Sequence, residues 1–408
     1  MPKLRLFNDV AQLRYIPPKI QTPEEQTMAF FRGLNVNGLH KLTKYWRQLP
    51  ELALNPSDHS YVLLQTNKAI RQVHSDEMRD ALQSYVIENF EMWSDNLATS
   101  MRYNSVVHGN QSLSGCMEIR IKPSEEVLYI AEEKLVDHLH DARPDNIAVR
   151  LSLFARMAHV PQDETLENIA NTILHPRMRT NIPPGEFVTI YWAAAVFEAL
   201  LGQRMEFADA VYEKLQPLYK RDAIRRRFND GSPNSLAITG RMRNADLWFT
   251  GDDQGTINKT TNQVSPFEND TKEFFKIFNT YQLGRSGGDL PLLRKKSDHG
   301  FIVKGHHIHL ENDGMTHFLI RQDDRFHVYD GETLFMTALA QKLYPKTSFI
   351  RLPIEDFYAA VDEHDPQHMA YMLYNLLHTV ARSARHEGHG GTYVLSHQPG
   401  SDMYLNPL

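Results

Sequence analysis

The sequence predicts an α+β protein, with a large helical N-terminal half and a C-terminal domain in which a small antiparallel sheet is flanked by helices. Three observations predict it. Apolar residues recur at three- and four-residue steps through most of residues 23–228, as one face of an α-helix requires. From Gly300 the period drops to two, as it does for strands. Between these regions, residues 229–271 are dense in turn-formers (Asn229-Asp230-Gly231-Ser232-Pro233-Asn234, then Gly251-Asp252-Asp253-Gln254-Gly255) and poor in periodic hydrophobes. The chain therefore divides into a mainly helical domain, 1–228, containing Cys116, a loop-rich boundary, 229–271, and an α+β domain, 272–408. Its 408 residues suffice for such a division, since domains average roughly 100–200 residues.

The elements follow in order. Thr22-Pro23-Glu24-Glu25 reads as a helix start, with Pro in the first turn and acids beside the positive end of the dipole. Asn35 to Leu49 carries Leu39, Leu42, Trp46 and Leu49 on one stripe. Ser75-Asp76-Glu77 opens a helix to Tyr103 with Met78, Leu82, Val86, Phe90 and Trp93 as its apolar face. Met117 to Lys122 alternates like a strand that Pro123 ends. Helices follow at 124–141, 146–158, 163–174, 186–202 and 204–220, and another at 271–282 after the boundary. Gly284-Arg285-Ser286-Gly287-Gly288 is a loop, without the lysine or spacing of a phosphate-binding loop. Phe301–Lys304, His307–Leu310, Thr316–Ile320 and Phe326–Tyr329 read as successive short strands, with turns at Glu311–Gly314 and Asp323-Asp324. Helices resume at 332–343, 354–362 and 366–385, and Thr392 to Leu395 is a last strand.

Composition excludes several classes of function. The 44 basic and 50 acidic side chains give a net charge of −6, which exerts no global pull toward nucleic acid or anionic lipid. The basic cluster Lys220-Arg221…Arg225-Arg226-Arg227 lacks interleaved aromatics and reads as a helix end. No apolar run reaches the roughly 18 residues of a membrane span, and the N-terminus lacks the apolar stretch of a secretory signal. With a single cysteine, neither an intrachain disulfide nor a multi-cysteine zinc site can form, so the expected compartment is cytoplasmic. No cofactor fingerprint is present. His306, His307 and His309 form a dense patch, and His386-Glu387-Gly388-His389 another, but without a spaced metal-ligand motif both read as solvated histidines.

One constellation points to chemistry. If Gln322 pairs with Arg325 across the Asp323-Asp324 turn, His317 lies directly opposite Asp330, with Cβ atoms about 4.5–5.5 Å apart on one face. A carboxylate there would accept from one imidazole nitrogen and leave the other as a base. The sole thiol, Cys116 in Ser114-Gly115-Cys116-Met117, would be the nucleophile, activated by the paired imidazole. Its alternative role is an inert small core residue.

The order of cysteine, histidine and aspartate, with Thr316-His317-Phe318-Leu319-Ile320 running to Phe326-His327-Val328-Tyr329-Asp330-Gly331-Glu332, resembles papain-like cysteine peptidases. It is most similar to the bacterial effector branch, which includes deamidases and transglutaminases. The resemblance covers about 17 of the 408 residues. It implies Cys116 as nucleophile, His317 as general base and acid, Asp330 as orienter, a protein substrate, and delivery into another cell's cytosol. Here Met117 to Lys122 reads as a strand, whereas the family's nucleophile opens a helix. A second alignment puts Ile190-Tyr191-Trp192-Ala193-Ala194-Ala195-Val196 on the nucleophile helix, with Tyr191 in the cysteine's place, and implies a non-catalytic relative. The reading from a different class is a helical protein-interaction module with an inert α+β domain.

Overall fold

The computed structural model describes residues 22–34, scattered positions between 41 and 88, residues 90–173, 184–219, 271–314 with short breaks, 317–320 and 327–408. The loop-rich boundary at 229–270, the basic cluster at 220–227, the 284–288 loop and the Asp323-Asp324 turn lie outside the described residues.

Among the described residues the helices of the first half are α1 (Pro23–Arg32), α2 (Phe90–Tyr103), α3 (Val106–Glu118), α4 (Glu125–Asp137), α5 (Pro144–Arg156), α6 (Asp163–Ile173), α7 (Pro184–Leu201) and α8 (Glu206–Tyr219). α1 begins as its sequence suggests, with Thr22 and Glu25 exchanging side-chain-to-backbone hydrogen bonds in a capping box. α7 is the central helix. Ile190, Tyr191, Trp192, Ala193, Ala194, Val196 and Phe197 are all buried, because α5, α8 and a later helix enclose it. None of the described helices is long and apolar enough to cross a membrane.

α3 is the helix that periodicity does not reveal, since Gly109, Asn110, Ser112, Ser114 and Gly115 are poor helix formers. Tertiary packing forms it. Arg150 of α5 is fully buried, and its guanidinium donates to Asn110 Oδ1 (2.5 Å), Ala131 O (2.6 Å) and Val106 O (3.2 Å), joining α3, α4 and α5. Gly109 makes room for it, because a Cβ there would sit 2.6 Å from Arg150 Nη2. Burial pulls this guanidinium down to about 9, so it is still a cation at neutral pH.

α3 and α5 end alike. Ile121 N donates to Cys116 O and Arg120 N to Met117 O, while His159 N donates to Phe154 O and Ala158 N to Ala155 O. Both are Schellman caps whose left-handed residue is not glycine: Arg120 has φ 56° and Ala158 φ 49°. After the second cap, His159 Nε2 lies 2.6 Å from Glu132 Oε1 and Nδ1 lies 3.3 Å from Glu125 Oε2. Burial alone would lower the His159 pKa, but its two carboxylate partners outweigh that and raise it. The His159 hydrogen bond, with help from Lys122, lowers Glu125 to about 2 against the opposing effect of burial. A raised histidine pKa contributes stability that is complete below about pH 6.5 and lost as pH rises through the folded value. The depressed Glu125 contributes stability present above pH 4.5 and lost as pH falls toward about 2. Replacing His159 by Gln is therefore expected to destabilise more near pH 5.5 than near pH 8, as urea denaturation at the two values would measure. Equal losses would disprove the linkage.

The C-terminal half contains β1 (Asp289–Leu290), β2 (Lys295–Lys296), β3 (His299–Val303), β4 (His306–Asp313), β5 (Phe318–Ile320), β6 (His327–Tyr329), α9 (Gly331–Leu343), β7 (Thr347–Pro353), α10 (Ile354–Glu363), α11 (Pro366–Glu387), β8 (Thr392–Ser396) and β9 (Tyr404–Pro407). The α+β class holds. A five-stranded sheet has the order β3-β4-β7-β8-β9, and β5-β6 and β1-β2 form separate two-stranded antiparallel sheets. The main sheet is mixed rather than antiparallel, because β4–β7 and β7–β8 are parallel and are joined through helices. Nor does the chain turn at Glu311–Gly314: β4 continues through Asp313, and Ile308 pairs with Phe301 of β3 and Ser348 of β7.

Two large cores result. One holds the face of β3, β4, β7 and β8 that packs on α10 and α11 (Phe301, Ile308, Leu310, Ile350, Leu352, Phe357, Leu373, Leu377, Leu395). The other, in the helical half, also takes in Leu319 of β5 and Phe335 and Leu339 of α9. The β5–β6 hairpin and α9 thus share the helical core. Gly331, the first residue of α9, lies so close to α5 that a Cβ would come 1.7 Å from Ala155 O.

Candidate functional site

The hairpin has the register that the short Asp-Asp turn implies: Phe318 pairs with Tyr329, Leu319 with Val328 and Ile320 with His327. Asp330 N then donates to His317 O at 2.9 Å, so the two residues are opposed as expected. The chain after α3 lies along the other side of β5. Ile121 bridges Ile320, Lys122 N donates to Ile320 O, and Ile320 N donates to Arg120 O. The segment that bears Cys116 is thereby brought to the hairpin that bears His317.

The side chains have other uses. Asp330 is the N-cap of α9: its Oδ1 accepts from Thr333 N (2.8 Å) and its Oδ2 from Arg120 Nη1 (3.0 Å). The Arg120 contact helps hold a non-glycine residue in the left-handed conformation, which costs roughly 1–2 kcal/mol. His317 Nδ1 lies 3.1 Å from Thr333 Oγ1 and 4.0 Å from Asp313 Oδ1, with 36% of its side chain exposed.

Cys116 is 2% exposed and sits in the apolar core beside Leu113, Ile119 and Ile121. Its thiol donates to Ser112 O one turn back in α3 (3.3 Å). Burial pushes the thiol well above its ordinary pKa, and the backbone of Cys116 itself opposes that only in part. The residue stands near the C-terminal end of α3, where the helix dipole opposes a thiolate. Met117 and Glu118 continue that helix, and only Ile121 makes the bridge expected of a strand.

Behind His317 lies a buried polar network that the sequence does not reveal. Arg351 of β7 forms a bidentate ion pair with Asp313 at the end of β4, through Nε (2.6 Å) and Nη2. Tyr329 Oη donates to Asp313 Oδ2 (2.9 Å), and Arg351 Nη1 donates to Thr337 Oγ1 of α9 (3.0 Å). Asp313 is fully buried and Arg351 is 5% exposed. Burial and the neighbouring Asp313 both push the Tyr329 phenol up, so it remains a donor. For Arg351 burial is the largest single influence and acts downward, but the charge and hydrogen bonds of Asp313, with Tyr329 and Glu311, together outweigh it and hold the guanidinium protonated. An aspartate in Glu-Asn-Asp-Gly reads as a turn former. Its partner lies 38 residues away, beyond any local signal.

The histidine patch is also less solvated than expected. His309 is buried, with Nδ1 2.7 Å from Ser297 Oγ, and His306 Nε2 is 2.8 Å from Ser348 Oγ. Burial and the nearby His307 lower both pKa values, so these histidines are neutral hydrogen-bonding groups. His307 alone of the three is exposed.

Fold and site together describe an α+β protein in which a hairpin and one helix join a helical half to a mixed sheet through Arg120–Asp330 and Arg351–Asp313. No protein-family model matches this chain, and no curated protein matches it.

Proposed function

We propose that this chain is a non-catalytic, protein-binding α+β module, with the His317–Asp330 hairpin as its internal joint. The observation that carries this reading is the environment of Cys116, the only thiol: enclosed by apolar side chains, bonded within its own helix and held protonated. A thiol nucleophile needs the opposite, an exposed thiolate near a base. Tyr103, 77% exposed at the end of α2, supplies a surface aromatic of the type enriched in protein interfaces.

The thiol-transfer reading keeps one observation in its favour, the bridge between Ile121 and Ile320 that runs the Cys116 segment beside the His317 hairpin. Iodoacetamide alkylation across pH 5–9 separates the two readings. For the binding module, Cys116 is expected to stay unmodified in the folded protein at every pH and to react fully in denaturant. His317→Ala should leave that profile unchanged. Rapid alkylation near pH 6 that disappears in His317→Ala would replace the binding reading with a peptidase, deamidase or transglutaminase.

A further inference from the structure

A second group of side chains lies in the sheet domain, far in sequence from Cys116 and the hairpin. Glu363 is the last residue of α10, His364 is its C-cap, and His397 follows β8. One donor atom from each falls within 4.8 Å of the others. We propose that Glu363, His364 and His397 form a divalent-cation site whose two imidazoles and one carboxylate suit Zn²⁺.

His397 carries the argument. Its side chain is completely enclosed, yet neither ring nitrogen has a hydrogen-bond partner. A polar group buried in that state costs about 1–3 kcal/mol. Its Nε2 lies 3.3 Å from Glu363 Oε2, without the alignment of a hydrogen bond. Two ligands of a tetrahedral zinc ion, each bonded at about 2.0–2.1 Å, are separated by about 3.3–3.4 Å. The pair is therefore already at the spacing of two vertices.

The surroundings hold these ligands as an outer shell would. His364 Nε2 is 3.2 Å from Ser401 O, and since a carbonyl can only accept, that nitrogen carries the proton and Nδ1 keeps its lone pair. Gly400 N donates to Glu363 Oε2 (2.8 Å), and His397 N donates to Asp356 Oδ1 (2.7 Å), tying the β8–β9 connection to α10. The C-terminus of α10 adds its negative dipole end. His368 and Asp402, 3.6 Å apart, stand next to His364, whose ring centroid is 5.1 Å from that of His368. Nitrogen donors disfavour Mg²⁺ and Ca²⁺, which take oxygen ligands. Three protein ligands leave a fourth position for water.

The test uses the full chain, stripped with a chelator and titrated with Zn²⁺ against a chromogenic chelator. One tight equivalent per chain is expected, with a rise of several degrees in Tm at a hundredfold excess over Kd. Glu363→Gln and His364→Ala alter partly exposed positions, so both should fold. Each is expected to weaken that equivalent at least about a hundredfold, since even outer-shell changes cost 10–100-fold. Co²⁺ should give the visible spectrum of a tetrahedral site in the wild type and lose it in both variants. His386→Ala/His389→Ala should bind like wild type. If the stripped wild type binds no more tightly than Glu363→Gln and His364→Ala, or if His386→Ala/His389→Ala loses the tight equivalent, the proposal is overturned.

Discussion

Arg351→Met is expected to destabilise the protein by about 3–5 kcal/mol, because it leaves the Asp313 carboxylate buried without its counter-charge. That is a large part of the roughly 5–15 kcal/mol that stabilises most proteins. Asp313 is fully buried, and the Tyr329 hydroxyl is its remaining donor among the contacts described above. The double variant Arg351→Met/Asp313→Leu should recover most of the loss, since replacing both members of a buried pair by apolar residues is often neutral or better. Urea denaturation of the two single variants and the double variant measures this coupling. Additive losses would mean that the pair matters only through packing, not charge.

Arg150→Met is the second large effect, again about 3–5 kcal/mol. Three acceptors on two neighbouring helices (Val106 O and Asn110 Oδ1 of α3, Ala131 O of α4) would lose their donors together. Hydrogen bonds to a charged group contribute about 1.5–3 kcal/mol each, and part of that sum is recovered by relaxation. Arg150→Lys should recover little, because one ammonium on a flexible stem cannot replace a planar fork that reaches three acceptors on two helices. Gly109→Ala should reproduce part of the defect without touching the charge, by pushing a methyl group into the guanidinium's space. If Arg150→Lys instead restores wild-type stability, the guanidinium's geometry is irrelevant and only its charge counts.

The Arg351 network lies at the junction between the halves. α9 packs Phe335 and Leu339 into the helical core and presents Thr337 to Arg351 of the sheet, while its N-cap Asp330 holds Arg120 at the end of α3. The three contacts make α9 a strut, and they engage residues that in isolation look catalytic. An aspartate opposite a histidine on a hairpin is the geometry of an orienter and base. Here the same aspartate caps a helix and pairs with an arginine that sits in a left-handed conformation.

The change from a 3.6 to a 2.0 period by itself determined the class of this protein, the existence of α4 to α8, α10 and α11, and the register of the β5–β6 hairpin. Those features rest on local rules of side-chain spacing and turn length, which neighbours in sequence enforce. Only the tertiary structure decided that α3 is a helix despite its glycines, because the guanidinium that binds Val106 O and the Asn110 side chain and fills the space at Gly109 comes from Arg150. It also decided that Asp313 is a strand residue rather than a turn residue, and that β4 and β7 run parallel. Likewise Cys116 was legible as the single thiol, but whether it faces a cleft or a core depends on which helices close over it. The Glu363–His364–His397 cluster had no sequence signal, since His397 lies more than 30 positions beyond the adjacent pair Glu363-His364 and only the docking of the β8–β9 connection on α10 brings them together. Buried charge and metal-ligand geometry depend on contacts between distant segments, and spacing along the chain does not encode them.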